Sequence, residues 1–175
     1  MSAMSFLSIV GMAHWQQGID RLRRNDTTLK ELDLHGNDIG NAGAGLVAEA
    51  LTVNTVLSSL DMKDNSIGTT GAGRLSEALM VNTALSSLCL SSNHVGDDGA
   101  GLLSESLKVN PALTSLNLYR NDIGPAGAGR LAEALKVNTV LLHLNLYNNH
   151  IGESGAGLLA DALLTNTSLT TLQLY

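Results

Sequence analysis

The stretch "LNLYRNDIG" at residues 116–124 returns as "LNLYNNHIG" at 144–152, with seven of its nine positions unchanged. A related stretch, "LDLHGNDIG", lies at 32–40. Around these stretches one leucine recurs every 28 residues: Leu29, Leu57, Leu85, Leu113, Leu141 and Leu169. A fixed period of this length is typical of solenoids, in which each repeat is one small structural unit that stacks on the next.

Each repeat combines a strand pattern with a helix pattern. The frame L-x-x-L-x-L alternates as a short strand does, with its leucines directed inward. The second half of the repeat, such as "GAGRLAEALKVN" at 127–138, has the apolar spacing of an amphipathic helix. Because parallel strands lie ~4.8 Å apart and packed helices ~8–10 Å apart, the stack must curve. The sequence therefore predicts an α/β fold, a leucine-rich repeat solenoid with parallel strands on the concave side and helices on the convex side.

The repeat frame divides the chain into three parts of one domain. Five full repeats cover 29–168, and 169–175 reads as the strand of an incomplete sixth repeat. Residues 1–28 keep the phase of the repeat but little of its sequence, with a strand predicted over 1–6 and a helix over 15–25. We expect this degenerate repeat to cap the N-terminal end of the core.

Two columns of asparagine are predicted to be structural. The first closes each strand, where its side chain can bond the backbone of the following loop. It consists of Asn37, Asn65, Asn93, Asn121 and Asn149. The second follows each helix, where asparagine tolerates the left-handed conformation of a helix C-terminus. It consists of Asn54, Asn82, Asn110, Asn138 and Asn166.

Most glycines lie in five copies of the motif G-x-x-G-A-G, for example at 124–129. The spacing is wrong for a dinucleotide-binding loop. Five copies in equivalent places instead indicate that small residues are needed where helix and loop are crowded.

The full repeat, L-x-x-L-x-L-x-x-N-x-I-G-x-x-G-A-x-x-L-A-E-A-L, resembles the ribonuclease-inhibitor class of leucine-rich repeats. Similar repeats occur in the sensor regions of NOD-like receptors and in Ran GTPase-activating proteins. The resemblance implies an intracellular domain that binds other proteins through its concave face and rims, either by itself or as a fragment of a larger receptor or regulator. The Ran-type alternative would make Arg120, just past a strand on the concave rim, a catalytic finger. An ordinary binding arginine is the favoured interpretation.

Composition narrows the class of protein further. The 16 acidic and 10 basic residues give a formal net charge of −6 without a run of like charges, which argues against nucleic-acid binding. A single cysteine, Cys89, provides no disulfide framework and favours a reducing compartment. No apolar run approaches the ~18 residues that a membrane span needs. We therefore expect a cytoplasmic protein that does not bind membranes.

Chemistry-bearing side chains do not assemble into a predicted active site, metal site or cofactor site. His94 and His150 lie two repeats apart, about 10 Å by strand spacing, which is too far to share one zinc ion. Asp33 and Asp61 hold the same outward position on adjacent strands, but an open sheet offers no cleft for glycosidase chemistry. Cys89 has no histidine in reach to activate it. We interpret the carboxylates as an acidic surface patch of Glu31, Asp33, Asp61 and Asp64, and the chain as a non-enzyme without a cofactor.

Outward strand positions vary between repeats because the core does not dictate them. All three tyrosines fall in one such column, in consecutive repeats. Tyrosine and arginine are enriched in interface hot spots. We therefore predict a protein-binding surface of Asn117, Tyr119, Arg120, His143, Asn145, Tyr147, Asn148 and Tyr175. A second explanation, which is compatible with the first, is that Tyr119 and Tyr147 remain from a recent repeat duplication.

The strand predicted over 169–175 has a free outer edge. Bare edges invite pairing with another chain, and Leu169, Leu172 and Leu174 would lack a covering helix on one side. Two molecules joined across a two-fold axis would extend the sheet. The sequence therefore also predicts a homodimer through this strand.

Overall fold

The computed structural model describes residues 14–174, apart from the side chain of His14. Helices and strands alternate along this part of the chain. The helices are α1 (His14–Arg23), α2 (Gly40–Leu51), α3 (Thr69–Leu79), α4 (Gly96–Leu107), α5 (Pro125–Leu135) and α6 (Gly152–Leu163). The strands are β1 (Glu31–Asp33), β2 (Ser59–Asp61), β3 (Ser87–Cys89), β4 (Ser115–Asn117), β5 (His143–Asn145) and β6 (Thr171–Gln173).

The strands form one parallel sheet in the order β1 to β6. Each residue pairs with the residue 28 positions along the chain, as Leu60 does with Leu88. Each helix from α3 to α6 packs on the helix of the preceding repeat. The leucine-rich repeat solenoid predicted from the 28-residue period is therefore confirmed. Among the described residues, no helix is both long enough and apolar enough to span a membrane.

A single hydrophobic core runs through the stack. The central strand leucines, such as Leu60, are buried, and so are the helix leucines that face them, such as Leu75 and Leu103. Helix α1 begins one residue before the stretch predicted as helical, 15–25, and ends two residues before its end; it buries Ile19 and Leu22 against the first repeat. The strand predicted over 1–6 lies outside the described residues, so the capping role of residues 1–28 stays a prediction.

The first asparagine column links neighbouring repeats. The Oδ1 atom of Asn93 accepts hydrogen bonds from the backbone N–H groups of Asn65 (3.1 Å) and Ile67 (2.9 Å). Its Nδ2 donates to the carbonyl oxygens of Met62 (3.0 Å) and Leu90 (2.9 Å). One buried side chain thereby satisfies backbone groups of two repeats, which confirms its structural role.

The second asparagine column works differently from the prediction. None of its members has a left-handed backbone. Instead, Asn82 donates from Nδ2 to the carbonyl oxygens of Leu51 (2.7 Å) and Asn54 (2.9 Å) of the preceding repeat. Its Oδ1 accepts the N–H of Leu85 at 2.8 Å. These asparagines are therefore hydrogen-bonding links between repeats, four of them buried and Asn166 half-buried, and the expectation of a left-handed cap was wrong.

Two helices are capped by a side chain of the preceding repeat. The Oδ1 atom of Asp97, in α4, accepts the N–H groups of Gly124 and Gly127 at 2.7 Å each, at the start of α5. Asn41 does the same for α3 at 2.9 Å. A Cβ atom at Gly127 would lie 2.7 Å from Oδ1 of Asp97 and 2.9 Å from Cγ2 of Ile123. The predicted crowding at this glycine is confirmed.

Candidate functional site

Two stacked tyrosines lie on the concave side, just past β4 and β5. The ring centroids of Tyr119 and Tyr147 are 5.8 Å apart and their planes differ by 11°. Each backbone N–H is held by the residue two positions before it, because Oδ1 of Asn117 accepts from Tyr119 and Oδ1 of Asn145 accepts from Tyr147, both at 2.9 Å. The asparagines thus fix the turns from which the rings project.

The predicted binding residues surround this stack. Nδ2 of Asn148 lies 3.5 Å from the hydroxyl of Tyr119, and Tyr147 keeps 42% of its surface exposed. His143, in β5, is exposed, with its Nδ1 3.5 Å from the hydroxyl of Thr170. Tyr175 lies outside the described residues. The structure places the other seven residues on one face, and their role in binding stays a prediction.

Arg120 has an unusual backbone for its residue type. Its φ angle of 53° is in the left-handed region, where side chains other than glycine, asparagine and aspartate are uncommon. The equivalent positions of the other repeats are also left-handed, and small residues occupy them: Gly36, Asp64, Ser92 and Asn148. The turn therefore demands this conformation in every repeat, and Arg120 adopts it at a steric cost. Whether Arg120 acts as a catalytic finger stays untested.

A pocket of about 560 Å³ opens beside Tyr119, where the strands end. We call it the rim pocket; its lining residues are His35, Lys63, Asp64, Ser92, Asn93, His94, Tyr119, Arg120 and Asp122. Neither the ammonium of Lys63 nor the guanidinium of Arg120 forms an ion pair with any described residue. The binding surface predicted from the sequence includes Arg120 and does not include Lys63.

The prediction also missed the row His94–Asp122–His150. Nδ1 of His94 lies 3.1 Å from Oδ2 of Asp122, and Nε2 of His150 lies 3.9 Å from Oδ1 of the same carboxylate. The repeat period carried the signal, since Asp122 is 28 residues from each histidine. No group of side chains suited to hold a metal ion occurs in the described part of the chain.

Two aspartates of the predicted acidic patch, Asp33 and Asp61, hold the backbone turns that follow their strands. Asp33 and Asp61 are direct partners in the β1–β2 register. Oδ1 of Asp33 accepts the N–H of His35 at 2.9 Å, and Oδ1 of Asp61 accepts that of Lys63 at 2.8 Å. Asn117 and Asn145 hold the equivalent turns in later repeats. Glu31 and Asp64 are at exposed positions, and an acidic patch of all four residues stays a prediction.

Cys89 lies between Asp61 and Asn117 in the sheet, as predicted. Burial raises the pKa of its thiol, and its Sγ lies 3.1 Å from the hydroxyl of Ser91. A raised pKa keeps the thiol protonated and reduces its nucleophilicity.

The family follows from the repeat itself. The family model described as "Leucine Rich repeat" matches five segments: 25–48, 53–76, 81–104, 109–132 and 137–160. The chain is a leucine-rich repeat protein. No curated protein matches the sequence significantly.

Solved structures of other leucine-rich repeat proteins align along most of the chain. One of them, "Leiomodin-1 Actin-Binding Site 2 (ABS2)", is 26% identical with a TM-score of 0.77, and the alignment covers 89% of this chain and 91% of that one. Another is the tropomodulin C-terminal domain of Caenorhabditis elegans, at 19% identity and a TM-score of 0.72, covering 88% and 93%. Both neighbours have repeats of the ribonuclease-inhibitor type, which confirms the resemblance found in the sequence.

Within the described residues of this leucine-rich repeat protein, one edge of β6 is not paired with another strand. Among the described strands, β6 pairs only with β5. Leu169, Leu172 and Leu174 are half-buried and pack against the end of the core. A pocket of about 240 Å³ lies there, lined in part by Leu146, Ile151 and Leu174. The edge predicted for self-association is therefore apolar and accessible within the part of the chain that the structure describes.

Proposed function

We propose that this leucine-rich repeat domain is a non-enzymatic module that binds a protein partner through its concave face, centred on Tyr119 and Tyr147. The stacked pair is the observation that carries the proposal. Both rings are amphipathic, are partly accessible, and are held by asparagine-fixed turns. A rigid aromatic surface of this kind loses little conformational freedom on binding. The repeat family and an actin-binding structural neighbour support a protein-binding scaffold.

Actin is the first partner to test. The leiomodin-1 structure is that of an actin-binding site, and it aligns with most of this chain. Sedimentation of the domain with actin filaments tests binding to filamentous actin. Retention of the domain on immobilised monomeric actin tests binding to the monomer. Affinity capture followed by mass spectrometry extends the search to other proteins.

The concave location is tested with a pair of double variants. In Tyr119→Ala/Tyr147→Ala, loss of both rings should weaken binding by at least about 2 kcal/mol, roughly 30-fold in Kd. The matched control is Val109→Ala/Val137→Ala, which truncates side chains about 60% exposed beyond the ends of α4 and α5. Weaker binding in the control, with unchanged affinity in the tyrosine variant, would place the interface at the helix ends and reject the concave face.

We further propose that two copies of the domain associate through β6. The edge of β6 that no described strand pairs with, and the half-buried leucines beside it, favour this second role. Pairing β6 with its own copy would satisfy the edge and cover Leu172. A molar mass that equals the monomer at micromolar concentration in light scattering would reject self-association.

A further inference from the structure

The rim pocket gathers two cations, Lys63 and Arg120, that form no ion pair with any described residue. Lys63 follows β2 and Arg120 follows β4, so their backbones lie two strands apart, about 10 Å by strand spacing. Both side chains line the pocket. Lys63 is half-buried, and its ammonium has no counter-ion within ion-pair distance among the described residues. A pair of cations without counter-ions favours the approach of an external anion.

The carboxylates that line the pocket do not act as counter-ions of Lys63 or Arg120. Asp122 is directed at the histidine row, with one oxygen 3.1 Å from His94 and the other 3.9 Å from His150. Asp64 also lines the pocket, yet neither carboxylate comes within ion-pair distance of Lys63 or Arg120.

The backbone at Arg120 gives an independent indication. The turn is left-handed in all five repeats, and glycine, aspartate, serine or asparagine occupies it in the other four. An arginine there costs conformational energy and contributes no hydrogen bond or ion pair from its side chain within the described residues. Local strain of this kind is found where a side chain is needed for function. Arg120 is the residue that departs from the repeat pattern, and it lines the pocket.

We propose that the rim pocket binds an oxyanion, a carboxylate or phosphate group carried by the protein partner, between Arg120 and Lys63. Arginine presents paired N–H donors that match either group, and the ammonium of Lys63 supplies a second point of contact. The ring of Tyr119 lines the same pocket, so an anchored residue would lie beside the tyrosine stack. This proposal rests on the proposed concave binding function and gives the chemistry of one contact within it.

The test uses small oxyanions on the full chain and therefore needs no partner. Sodium phosphate and sodium acetate are titrated at constant ionic strength while ¹H–¹⁵N NMR spectra are recorded. We expect saturable shifts confined to residues 63–64, 92–94 and 119–122. Saturation with phosphate alone would assign the site to a phosphorylated residue, and saturation with acetate would assign it to an acidic side chain. If neither phosphate nor acetate gives saturable shifts, the proposal is wrong.

Arg120→Asn is the decisive variant, because asparagine suits the left-handed turn and already stands at the equivalent Asn148. It should unfold at the same or a higher temperature than the parent chain and lose at least about tenfold in anion affinity. Lys63→Gln should also bind the oxyanions more weakly than the parent chain. Arg130→Gln is the matched control, since Arg130 pairs with Asp98 on the helical side. Equal affinity in Arg120→Asn and the parent chain would contradict the assignment.

The two proposals fail separately. If partner binding depends on the tyrosines while no oxyanion saturates, the rim pocket proposal is wrong and the concave face stands. If phosphate or acetate binds at Arg120 while the tyrosine variant keeps full partner affinity, the concave interface is wrong and the anion site stands.

Discussion

Asp26 stabilises the connection between α1 and β1. Its Oδ2 accepts from Nε of Arg21 at 2.7 Å, and its Oδ1 accepts from the hydroxyl of Thr28 at 2.7 Å and from the backbone N–H of Thr28 at 2.9 Å. The Thr28 hydroxyl and the Arg21 guanidinium, together with that N–H, hold the pKa of Asp26 well below its usual range. Because the folded pKa is lowered, the stabilisation is present above the ordinary aspartate range and is lost as the pH falls through the folded value.

Replacing Asp26 with asparagine should therefore destabilise the fold at neutral pH and less so in acid. Asparagine cannot offer the charged acceptor to Arg21. Urea unfolding of both chains at pH 7 and at about pH 3 measures the difference, with the ordinary aspartate pKa of ~3.9 as reference. A difference in unfolding free energy that is larger at low pH would contradict the assignment. Asp20→Asn is a matched control, since its contact with Arg23 is long at 3.9 Å.

At the scale of single elements, the start of α5 depends on a side chain outside that helix. Asp97→Ala removes the acceptor shared by Gly124 and Gly127 and should cost about 1–2 kcal/mol, as loss of a helix cap does. The neighbouring Asp98→Ala removes only the exposed pair with Arg130 and should cost under about 1 kcal/mol. Chemical denaturation compares the two, and equal losses would contradict capping across repeats.

The edge strand β6 provides the second test at this scale. Leu172→Lys places a charge on the half-buried end of the core and should shift a dimer to monomer in light scattering, because the ammonium would be desolvated in the interface. Tyr119→Ala, two repeats away, should leave the dimer intact. The lysine variant has to show helix and strand content like the parent chain in circular dichroism. A folded variant that still dimerises would place the interface elsewhere.

For the whole molecule, the 28-residue period was enough to predict the fold, the strand register and the leucine core, because every repeat occupies an equivalent environment. Features that do not recur in every repeat were not predicted. Capping of α3 and α5 depends on Asn41 and Asp97, whereas Thr69 and Pro125, at the equivalent position of the alternate repeats, do not cap the next helix in this way. The rim pocket depends on left-handed turns that bring side chains of four repeats together, which spacing alone does not indicate.

The central claim is that partners contact the concave face. Site-specific photo-crosslinking tests it most directly, with a benzophenone amino acid in place of Tyr147 and, in a second chain, in place of Leu102. Leu102 lies on α4 and is 43% exposed, close to the 42% of Tyr147, so accessibility is matched. With actin filaments or any captured partner, we predict covalent adducts from position 147 and none from position 102. Adducts from position 102 without adducts from position 147 would contradict the claim.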